Sequence, residues 1–356
     1  MKCCSDRNHG CRYMAFRLGE TNVLLLENEK FRVMFLPDNG CDIADINYKP
    51  LDVSFLWRTR QGLSSLDNSR ISLTDKFNQT YHGGWFEAFP NVGLACNYNG
   101  IAFEPYDEVK NLKWNYQIMK DESEEIVVKF SASTLKTPFT LEKNVRILSG
   151  SMVLTMEEIV TNTGKECFPF QWGHHPLLGY PFLSGDCVID FPGADIDTFF
   201  EFNNARVEQG IKGTWPSVKG KNGDIELDRF PAPGSDVNDL YWLSDLKSNW
   251  MGVRNEKLNL GIGFAWDEAV FDHCLLWINA NGDKGYPHFG DAYTLCIMPS
   301  TSGTHTIEAE AKNGTIRFLK PGESIGSWIT TAIFVPGKKT ITSIDKNGKV
   351  NLNSKN

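Results

Sequence analysis

The sequence contains no cluster of basic residues, no long apolar run and no Cys-x-x-Cys motif. Its 356 residues carry a formal net charge of −8, and the nearest approach to a basic cluster is Lys338-Lys339, so we expect no nucleic-acid partner. Apolar runs such as residues 23–26 are far too short to cross a bilayer, and residues 1–10 are too polar for a signal peptide. The nine cysteines are irregularly spaced and form no Cys-x-x-Cys, which argues against a disulfide framework or a zinc site.

These absences predict the cellular location and the partners of the protein. We expect a cytoplasmic protein with reduced cysteines, without nucleic-acid or membrane partners, that is a monomer or a homodimer. Hydrophobic residues make up 41% of the chain, which is enough for a substantial core. Aromatic residues reach 12%, with 10 Trp, and Trp in a protein of this kind belongs either to the core or to a surface that stacks on a ligand.

Alternation of apolar and polar residues is the dominant pattern of the chain. It is strict over residues 128–133, and over residues 139–147 it places Phe139, Leu141 and Val145 on one face. Further short strands are predicted at residues 22–26, 31–36, 43–48, 114–119, 152–160, 258–264, 275–279, 293–297, 304–311, 316–319 and 328–334. Sustained helical periodicity is nearly absent. Many short strands separated by turn residues predict an all-β fold, either a sandwich or a barrel.

The chain shows no sign of division into domains. No linker rich in Ser, Pro or charge interrupts it, so residues 1–356 are predicted to form a single domain, with residues 1–20 and 345–356 peripheral or flexible. Residues 61–80 and 192–233 are the least regular stretches, and we expect long loops there over a sheet face. Loops of that length are uncommon unless they serve a site.

The first candidate site segment is residues 81–91, which read Tyr-His-Gly-Gly-Trp-Phe-Glu-Ala-Phe-Pro-Asn. Two glycines after His82 allow the backbone to approach a ligand closely, and Trp85, Glu87 and Asn91 carry groups that can contact a polyol. A glycine turn with a buried Trp explains the same residues without a ligand.

The second segment is residues 170–176, in which His174 and His175 precede Pro176. Because neighbouring side chains on a strand point to opposite faces, only one of the two histidines can face a given cleft, and they cannot both ligate one metal ion. The other histidine is then expected to be a core residue satisfied by hydrogen bonds.

The third segment begins at Trp277 and continues through residues 285–290 to residues 293–302. A Gly-Tyr-Pro loop followed by a strand that ends in Pro-Ser is typical of a cleft rim. An ordinary hairpin explains the same pattern.

Taken together, these segments resemble the aldose 1-epimerase, or galactose mutarotase-like, superfamily, in its uncharacterised bacterial branch of mutarotase-related proteins. His82-Gly83-Gly84 is similar to the first histidine motif of that family, and residues 172–176 are similar to the second. Residues 137–143 and the turn at 161–164 also follow the family pattern. The resemblance covers nearly the whole chain and implies one large antiparallel β-sandwich, the supersandwich of the galactose mutarotase type.

The resemblance also implies an activity, the interconversion of the anomers of a hexose or modified hexose by acid/base ring opening, without metal or organic cofactor. By analogy His175 is the general acid, because a histidine of near-neutral pKa suits that role, and His82 assists it. Glu87 is the favoured base because it lies within the first candidate segment. The residues expected to bind the sugar are Trp85, Asn91, His174, Trp277 and Met298.

One position departs from the family pattern. The family has a glutamate base on a late strand, and the matching residue here is Met298, whose thioether takes no proton in this role. Besides Glu87, the carboxylates that can substitute are Asp239, Asp283, Asp291 and Glu308, and the candidates for a family arginine are Arg58, Arg60 and Arg70. The alternative function is therefore a carbohydrate-binding or sensing protein that has lost the base.

Overall fold

The structure is a computed structural model that describes residues 2–66, 75–198, 202 and 204–354. Antiparallel strands dominate it, as the alternation in the sequence predicted. The described strands are β1 (Arg12–Leu18), β2 (Thr21–Glu27), β3 (Phe31–Leu36), β4 (Asp42–Tyr48), β5 (Val53–Ser54), β6 (Trp85–Ala88), β7 (Cys96–Tyr98), β8 (Ile101–Phe103), β9 (Asn115–Asp121), β10 (Glu125–Ser133), β11 (Phe139–Leu148), β12 (Val153–Asn162), β13 (Phe168–Phe170), β14 (Gly173–Gly179), β15 (Cys187–Asp190), β16 (Asp195–Asp197), β17 (Lys212–Thr214), β18 (Ser217–Gly220), β19 (Gly223–Glu226), β20 (Val237–Ser244), β21 (Trp250–Asn255), β22 (Leu260–Trp266), β23 (His273–Ala280), β24 (Tyr293–Ser300), β25 (Arg317–Leu319), β26 (Ser324–Phe334), β27 (Lys339–Ile344) and β28 (Val350–Ser354). The described helices are α1 (Lys76–Thr80) and α2 (Ile307–Asn313), with 3-10 turns at Gly62–Leu66 and Val109–Asn111.

Two large sheets form the body of the fold. The larger one runs in the order β1-β2-β3-β4-β6-β14-β24-β23-β20-β16-β17-β18-β19, with β5 paired to β4. The smaller one has eight strands in the order β15-β21-β22-β26-β12-β11-β10-β9. β13 with β25, β27 with β28, and β7 with β8 make three separate two-stranded pairs. The fold is therefore the large antiparallel β-sandwich that the family resemblance implied.

The core lies between the two sheets, where β10, β11 and β12 of the smaller sheet bury alternate residues. In β10 every second residue is buried, and the ring of Phe130 lies 5.2 Å from that of Phe35 in β3. β11 pairs with β12 in a register that sets Val145 opposite Met156, so that apolar side chains of neighbouring strands share the inner face. Burial of these apolar side chains is the main source of stability in such a core.

The strand predicted at residues 304–311 is wrong, because this segment forms helix α2. The hydroxyl of Thr306 accepts a hydrogen bond from the backbone N–H of Ala309 at 3.0 Å, which is the usual cap of a helix N-terminus. Gly314 ends the helix in the left-handed region, with φ of 76°. The apolar residues Ile307 and Ala309 alternate with Glu308 as in a strand, but the cap and the helix-favouring alanines decide the conformation.

The two stretches predicted as long loops differ in outcome. Residues 192–233 contain four short strands, β16 to β19, that extend the larger sheet, so a long loop there is wrong. These strands are only three or four residues long, and alternation over so few residues gives no clear pattern. Residues 61–80 contain a 3-10 turn and α1, and residues 67–74 of this stretch lie outside the described residues.

The ends of the described chain lie at the margins of the sandwich. β1 is an edge strand of the larger sheet. The hairpin of β27 and β28 packs against the outer face of the smaller sheet, where Ile341 and Ile344 join an apolar cluster with Trp250 and Phe334. Within the described residues, no helix has both the length and the apolar character required to span a bilayer.

Candidate functional site

A cavity of about 320 Å³ opens on the face of the larger sheet that points away from the core. We call it the cleft. Its floor is built on β14, β20 and β23, and its walls come from the segments around β7 and β8 and from the loop between β23 and β24. The described residues that line it are Phe77, Asn78, Tyr81, Val92, Gly93, Leu94, Pro105, Tyr106, His175, Phe202, Leu240, Trp242, Leu275, Trp277, Asp283, Pro287, His288 and His305.

Aromatic rings make up much of the lining, and the polar groups among them are few. The rings of Tyr81, Tyr106, Trp242 and Trp277 line the cavity, and apart from their phenol and indole groups its polar side chains are an amide, three imidazoles and one carboxylate. The described lining contains no Lys or Arg. Sites of this composition bind small molecules through apolar contact and stacking, while a few polar groups fix the orientation of the ligand.

His175 reaches the cleft from β14. Its ring stacks on Phe86, with centroids 4.4 Å apart and planes 15° apart, and the edge of Tyr106 lies 5.3 Å away. Burial among these rings lowers the pKa of His175 to about 3, so the imidazole is neutral near pH 7. The near-neutral pKa expected from the sequence is therefore wrong, because desolvation disfavours the charged ring.

His174 points to the opposite face of the same strand, as the alternation predicted, and does not line the cleft. It lies between the sheets, where its Nε2 is 2.8 Å from Oε2 of Glu158 in β12. Lys143 of β11 joins this pair, with Nζ 3.2 Å from Glu158 and 2.7 Å from Glu87. Trp172 donates its indole N–H to Glu87 at 2.7 Å. We call Glu87, Lys143, Glu158 and His174 the buried charge cluster.

The cluster forms because two strand pairs bring their charged residues face to face. The register sets His174 opposite Glu87 in the larger sheet, and Lys143 opposite Glu158 in the smaller one. Burial alone would raise the pKa of Glu158, but His174 and Lys143 lower it to about 2. Burial likewise opposes the charge of Lys143, but the two carboxylates raise its pKa above the usual value.

The cluster also contains a possible set of metal ligands. Glu87, Glu158 and His174 offer ligand atoms that all lie within 4.8 Å of one another. The ammonium group of Lys143 already lies against both carboxylates and supplies one positive charge between them. These side chains therefore form a set of buried ion pairs.

Glu87 and Trp85, both predicted from the sequence to belong to the site, lie on this inner face of the larger sheet. Glu87, the favoured base, turns away from the cleft together with the rest of the cluster. Trp85 of β6 does the same, and its ring lies edge-on to His174 at 5.9 Å. The structure therefore brings neither Glu87 nor Trp85 to the side of the sheet where His175 lies.

His82 and Asn91 are buried next to the cleft but do not line it. Nε2 of His82 is 2.9 Å from Oδ2 of Asp42, and both side chains are fully buried. Asn91 donates to the carbonyl of Leu94 at 2.8 Å and accepts from the backbone N–H of Ile307 at 3.0 Å. These hydrogen bonds hold the cleft wall in place.

The glycines after His82 serve the packing of the backbone. A Cβ on Gly83 would lie 2.3 Å from the carbonyl oxygen of Trp57, and one on Gly84 would lie 2.6 Å from that of Ile43. Both glycines also have positive φ. Their close contacts are thus with the backbone of neighbouring segments, which fits the glycine turn with a buried Trp and not a close approach to a ligand.

Met298 and Trp277 lie on the cleft side of the sheet. Gly173 pairs with Ser300 and Leu177 with Cys296, so this register places Met298 across from His175. Met298 is buried in an apolar cluster under the floor. Trp277 lines the cavity itself, and its indole N–H donates to Asn238 at 2.8 Å.

Of the substitute carboxylates named from the sequence, Asp283 lines the cleft within the described residues. Asp239 is buried in an ion pair with Arg206 at 2.6 Å. Asp291 and Glu308 are exposed and do not line the cavity. Arg58 lies 3.9 Å from Asp45, and Arg60 lies 3.9 Å from Asp291. Arg70 lies outside the described residues.

Asp283 has a partner that the sequence analysis did not single out. Nε2 of His288 lies 3.8 Å from Oδ2 of Asp283, and both residues line the cleft. Burial raises the pKa of Asp283 and lowers that of His288, and each charge partly offsets the effect on the other. His305, Tyr106 and Trp242 were also missed. His288 stands within the loop that the sequence indicated as a cleft rim, whereas the other three are brought to the cavity by the fold.

Comparisons with known proteins agree with this fold. Residues 20–333 match DUF4432, a domain of unknown function. No curated protein sequence matches the chain. A proposed aldose 1-epimerase from Klebsiella pneumoniae has a similar structure, with a TM-score of 0.71 at 15% identity over 92% of this chain and 84% of that one.

Two more solved structures show the same likeness. A galactose mutarotase-like protein from Clostridium acetobutylicum has a TM-score of 0.62 at 13% identity, covering 91% of this chain and 98% of its own. A galactose mutarotase related enzyme from Lactobacillus acidophilus has a TM-score of 0.57 at 15% identity, covering 89% and 99%. The family resemblance found in the sequence is confirmed at the level of the fold. The chain therefore belongs to the DUF4432 family and has the galactose mutarotase-like fold.

Proposed function

We propose that the cleft binds a hexose or modified hexose and that the protein interconverts its anomers by acid/base ring opening. The observation that carries this proposal is the cleft itself, in which His175, His288 and Asp283 line one cavity among aromatic rings. Aromatic faces stack on the apolar faces of sugar rings, and the imidazoles and the carboxylate supply polar contacts to hydroxyl groups. The similar structure from Klebsiella is described as a proposed aldose 1-epimerase and that from Lactobacillus as a galactose mutarotase related enzyme, which supports the proposal by analogy of fold.

The chemistry requires two groups that exchange protons with the sugar. One gives a proton to the ring oxygen while the other takes a proton from the anomeric hydroxyl, and the open aldehyde then closes to either anomer. His175 is the proposed donor. Because its pKa is lowered to about 3, its imidazolium form is a strong acid that is scarce near neutral pH.

A second candidate function is a sugar-binding protein without catalysis. The observation that favours it is the apolar Met298 across from His175, in the position where the resemblance places the base. Under this alternative the cleft binds an aldose but leaves the rate of mutarotation unchanged.

The two candidates are separated by measuring binding and rate on the same protein. Calorimetry with neutral aldoses should detect binding, and this binding should persist in EDTA. Polarimetry should show faster mutarotation of a bound aldose, and His175→Gln should reduce kcat/KM by roughly 10²–10⁴-fold. His273→Gln is the matched control, since His273 begins β23 but does not line the cleft, and it should leave the rate unchanged.

Each other outcome has a definite meaning. Binding without acceleration would support the second candidate. A protein that binds no neutral aldose, or that binds one only with metal, would contradict the proposed function.

A further inference from the structure

The loop between β23 and β24, residues 281–292, carries a carboxylate and an imidazole into the cleft. Its shape is fixed by its own hydrogen bonds. Asn281 donates to the carbonyl of Gly290 at 2.9 Å, and the N–H of Gly290 donates to the carbonyl of Asp283 at 2.7 Å. The N–H of Asp291 donates to the carbonyl of His288 at 2.9 Å. The loop is thus an ordered part of the cleft wall.

His288 is held in the cleft by two indole rings. It lies edge-on to Trp57 with centroids 5.5 Å apart, and it lies 6.1 Å from Trp277. Its side chain is 12% exposed, and that of Asp283 is 26% exposed. Both groups are therefore partly withdrawn from water but open to a ligand, with Nε2 of His288 3.8 Å from Oδ2 of Asp283.

We propose that Asp283 takes the proton of the anomeric hydroxyl and that His288 positions the Asp283 carboxylate. This inference rests on the proposed function, because it names the second of the two groups that anomer interconversion requires. Met298 cannot accept a proton, and Glu87 lies on the other face of the sheet. Within the described lining of the cleft, Asp283 is the one carboxylate.

The proton balance of the step is complete without a cofactor. Asp283 removes the proton from the anomeric oxygen, and the electron pair of that O–H bond forms the C=O bond of the aldehyde. The bond between the anomeric carbon and the ring oxygen breaks, and the ring oxygen takes a proton from the His175 imidazolium. Rotation about the next C–C bond and the reverse transfers give the other anomer.

The surroundings of Asp283 suit a proton acceptor. Burial raises its pKa from the ordinary value toward the working pH, which increases the basicity of the carboxylate, while His288 moderates the shift. The other titratable groups of the described cleft lining are the imidazoles of His175 and His305 and the phenols of Tyr81 and Tyr106. None of these is an anion near neutral pH, since burial raises the pKa of both phenols.

The test compares three variants of the full chain. Asp283→Asn should reduce kcat/KM for a bound aldose by roughly 10²–10⁴-fold while the Kd of the sugar changes little. His288→Gln should reduce it less and should move the break that Asp283 sets in the pH profile of kcat/KM to higher pH, because the imidazole no longer lowers the pKa of Asp283. Asp291→Asn is the matched control from the same loop, exposed and outside the cleft lining, and should resemble the parent protein.

The outcomes separate this inference from the function on which it rests. If the parent accelerates mutarotation and a folded Asp283→Asn variant remains as fast, Asp283 is not the acceptor, although the proposed function stands. If the parent binds aldoses without accelerating mutarotation, both the catalytic function and this inference fail. Thermal unfolding checks that each variant is folded. If Asp283→Asn does not fold, an unmoved pH profile of kcat/KM in His288→Gln overturns the inference.

Discussion

His174 and His175 are neighbours in the chain but have opposite surroundings. His174 lies in the buried charge cluster, against Glu158 at 2.8 Å. His175 lies in the cleft, stacked on Phe86. The single step along β14 separates a residue that lies between the two sheets from one that lines the cleft, because side chains on a strand alternate between faces.

Removing one member of the buried charge cluster should leave the others without compensation. Lys143→Met leaves Glu87 and Glu158 buried without their ammonium partner, and we expect it to lower the free energy of unfolding by about 3–5 kcal/mol. Chemical denaturation measures this loss. The Kd for a sugar should change little, since the cluster lies on the other face of the sheet.

The control for this variant is a lysine in an exposed ion pair. Lys129 of β10 pairs with Glu142 at 2.6 Å, but both side chains are at least a third exposed. Lys129→Met should therefore cost no more than about 1 kcal/mol. Equal losses in the two variants would show that burial does not set the strength of the cluster.

Among the elements, the hairpin of β27 and β28 depends on glycines in the smaller sheet. A Cβ on Gly263 of β22 would lie 2.2 Å from Cδ1 of Ile344, and one on Gly252 of β21 would lie 2.3 Å from Cδ1 of Ile341. The missing side chains form a shallow trough that receives the two isoleucines. The hairpin can pack closely only because these strands carry glycine at these points.

Gly263→Ala should therefore destabilise the protein by about 1–3 kcal/mol through overpacking against Ile344. Ile344→Val removes the Cδ1 that the new methyl group meets, and alone it should cost about 0.5–1.5 kcal/mol. The double variant should lose less stability than the sum of the single losses, as measured by thermal unfolding. Strictly additive losses would contradict the proposed contact.

Helix α2 is an element for which the alternation of apolar and polar residues gave a wrong prediction of a strand. Ile307, Ala309 and Ala311 occupy every second position, which is the pattern of a half-buried strand. The pattern is equally present in a short helix rich in alanine, and Thr306 and Gly314 are its cap residues. In an element of seven residues, the cap residues are a better guide to the conformation than the spacing of the apolar residues.

For the whole molecule, the buried histidine of the cleft makes stability depend on pH. The pKa of His175 is lowered from 6.5 to about 3 in the folded chain. Between these values the unfolded chain binds a proton that the folded chain does not, so the free energy of unfolding falls as the pH falls. One such group contributes a slope of at most about 1.4 kcal/mol per pH unit.

His175→Asn removes this contribution, so the variant should lose less stability than the parent between pH 6.5 and pH 4. Denaturant unfolding at several pH values measures the difference in slope. The pKa of Glu158, lowered to about 2, makes acid destabilising in both proteins and cancels in the comparison. Identical slopes would mean that His175 is not buried in its neutral form.

The sequence by itself determined the class of fold and the opposite orientations of the two histidines. Both follow from alternation along a strand, which is a local property with a period of two. The alternation of apolar and polar residues could also have predicted part of the buried charge cluster. Lys143 and Glu158 occupy inward positions among apolar residues of β11 and β12, so each breaks the pattern of its strand.

Only the tertiary structure decided which side chains share the cleft. Asp283 and His288 follow β23, whereas His175 lies on β14, and the pairing of both strands with β24 brings these segments together. Glu87 was favoured because it lies within a sequence motif, but its position on β6 turns it toward the core. A strand pattern fixes which residues share a face, whereas the choice between the core face and the cleft face depends on how the two sheets pack.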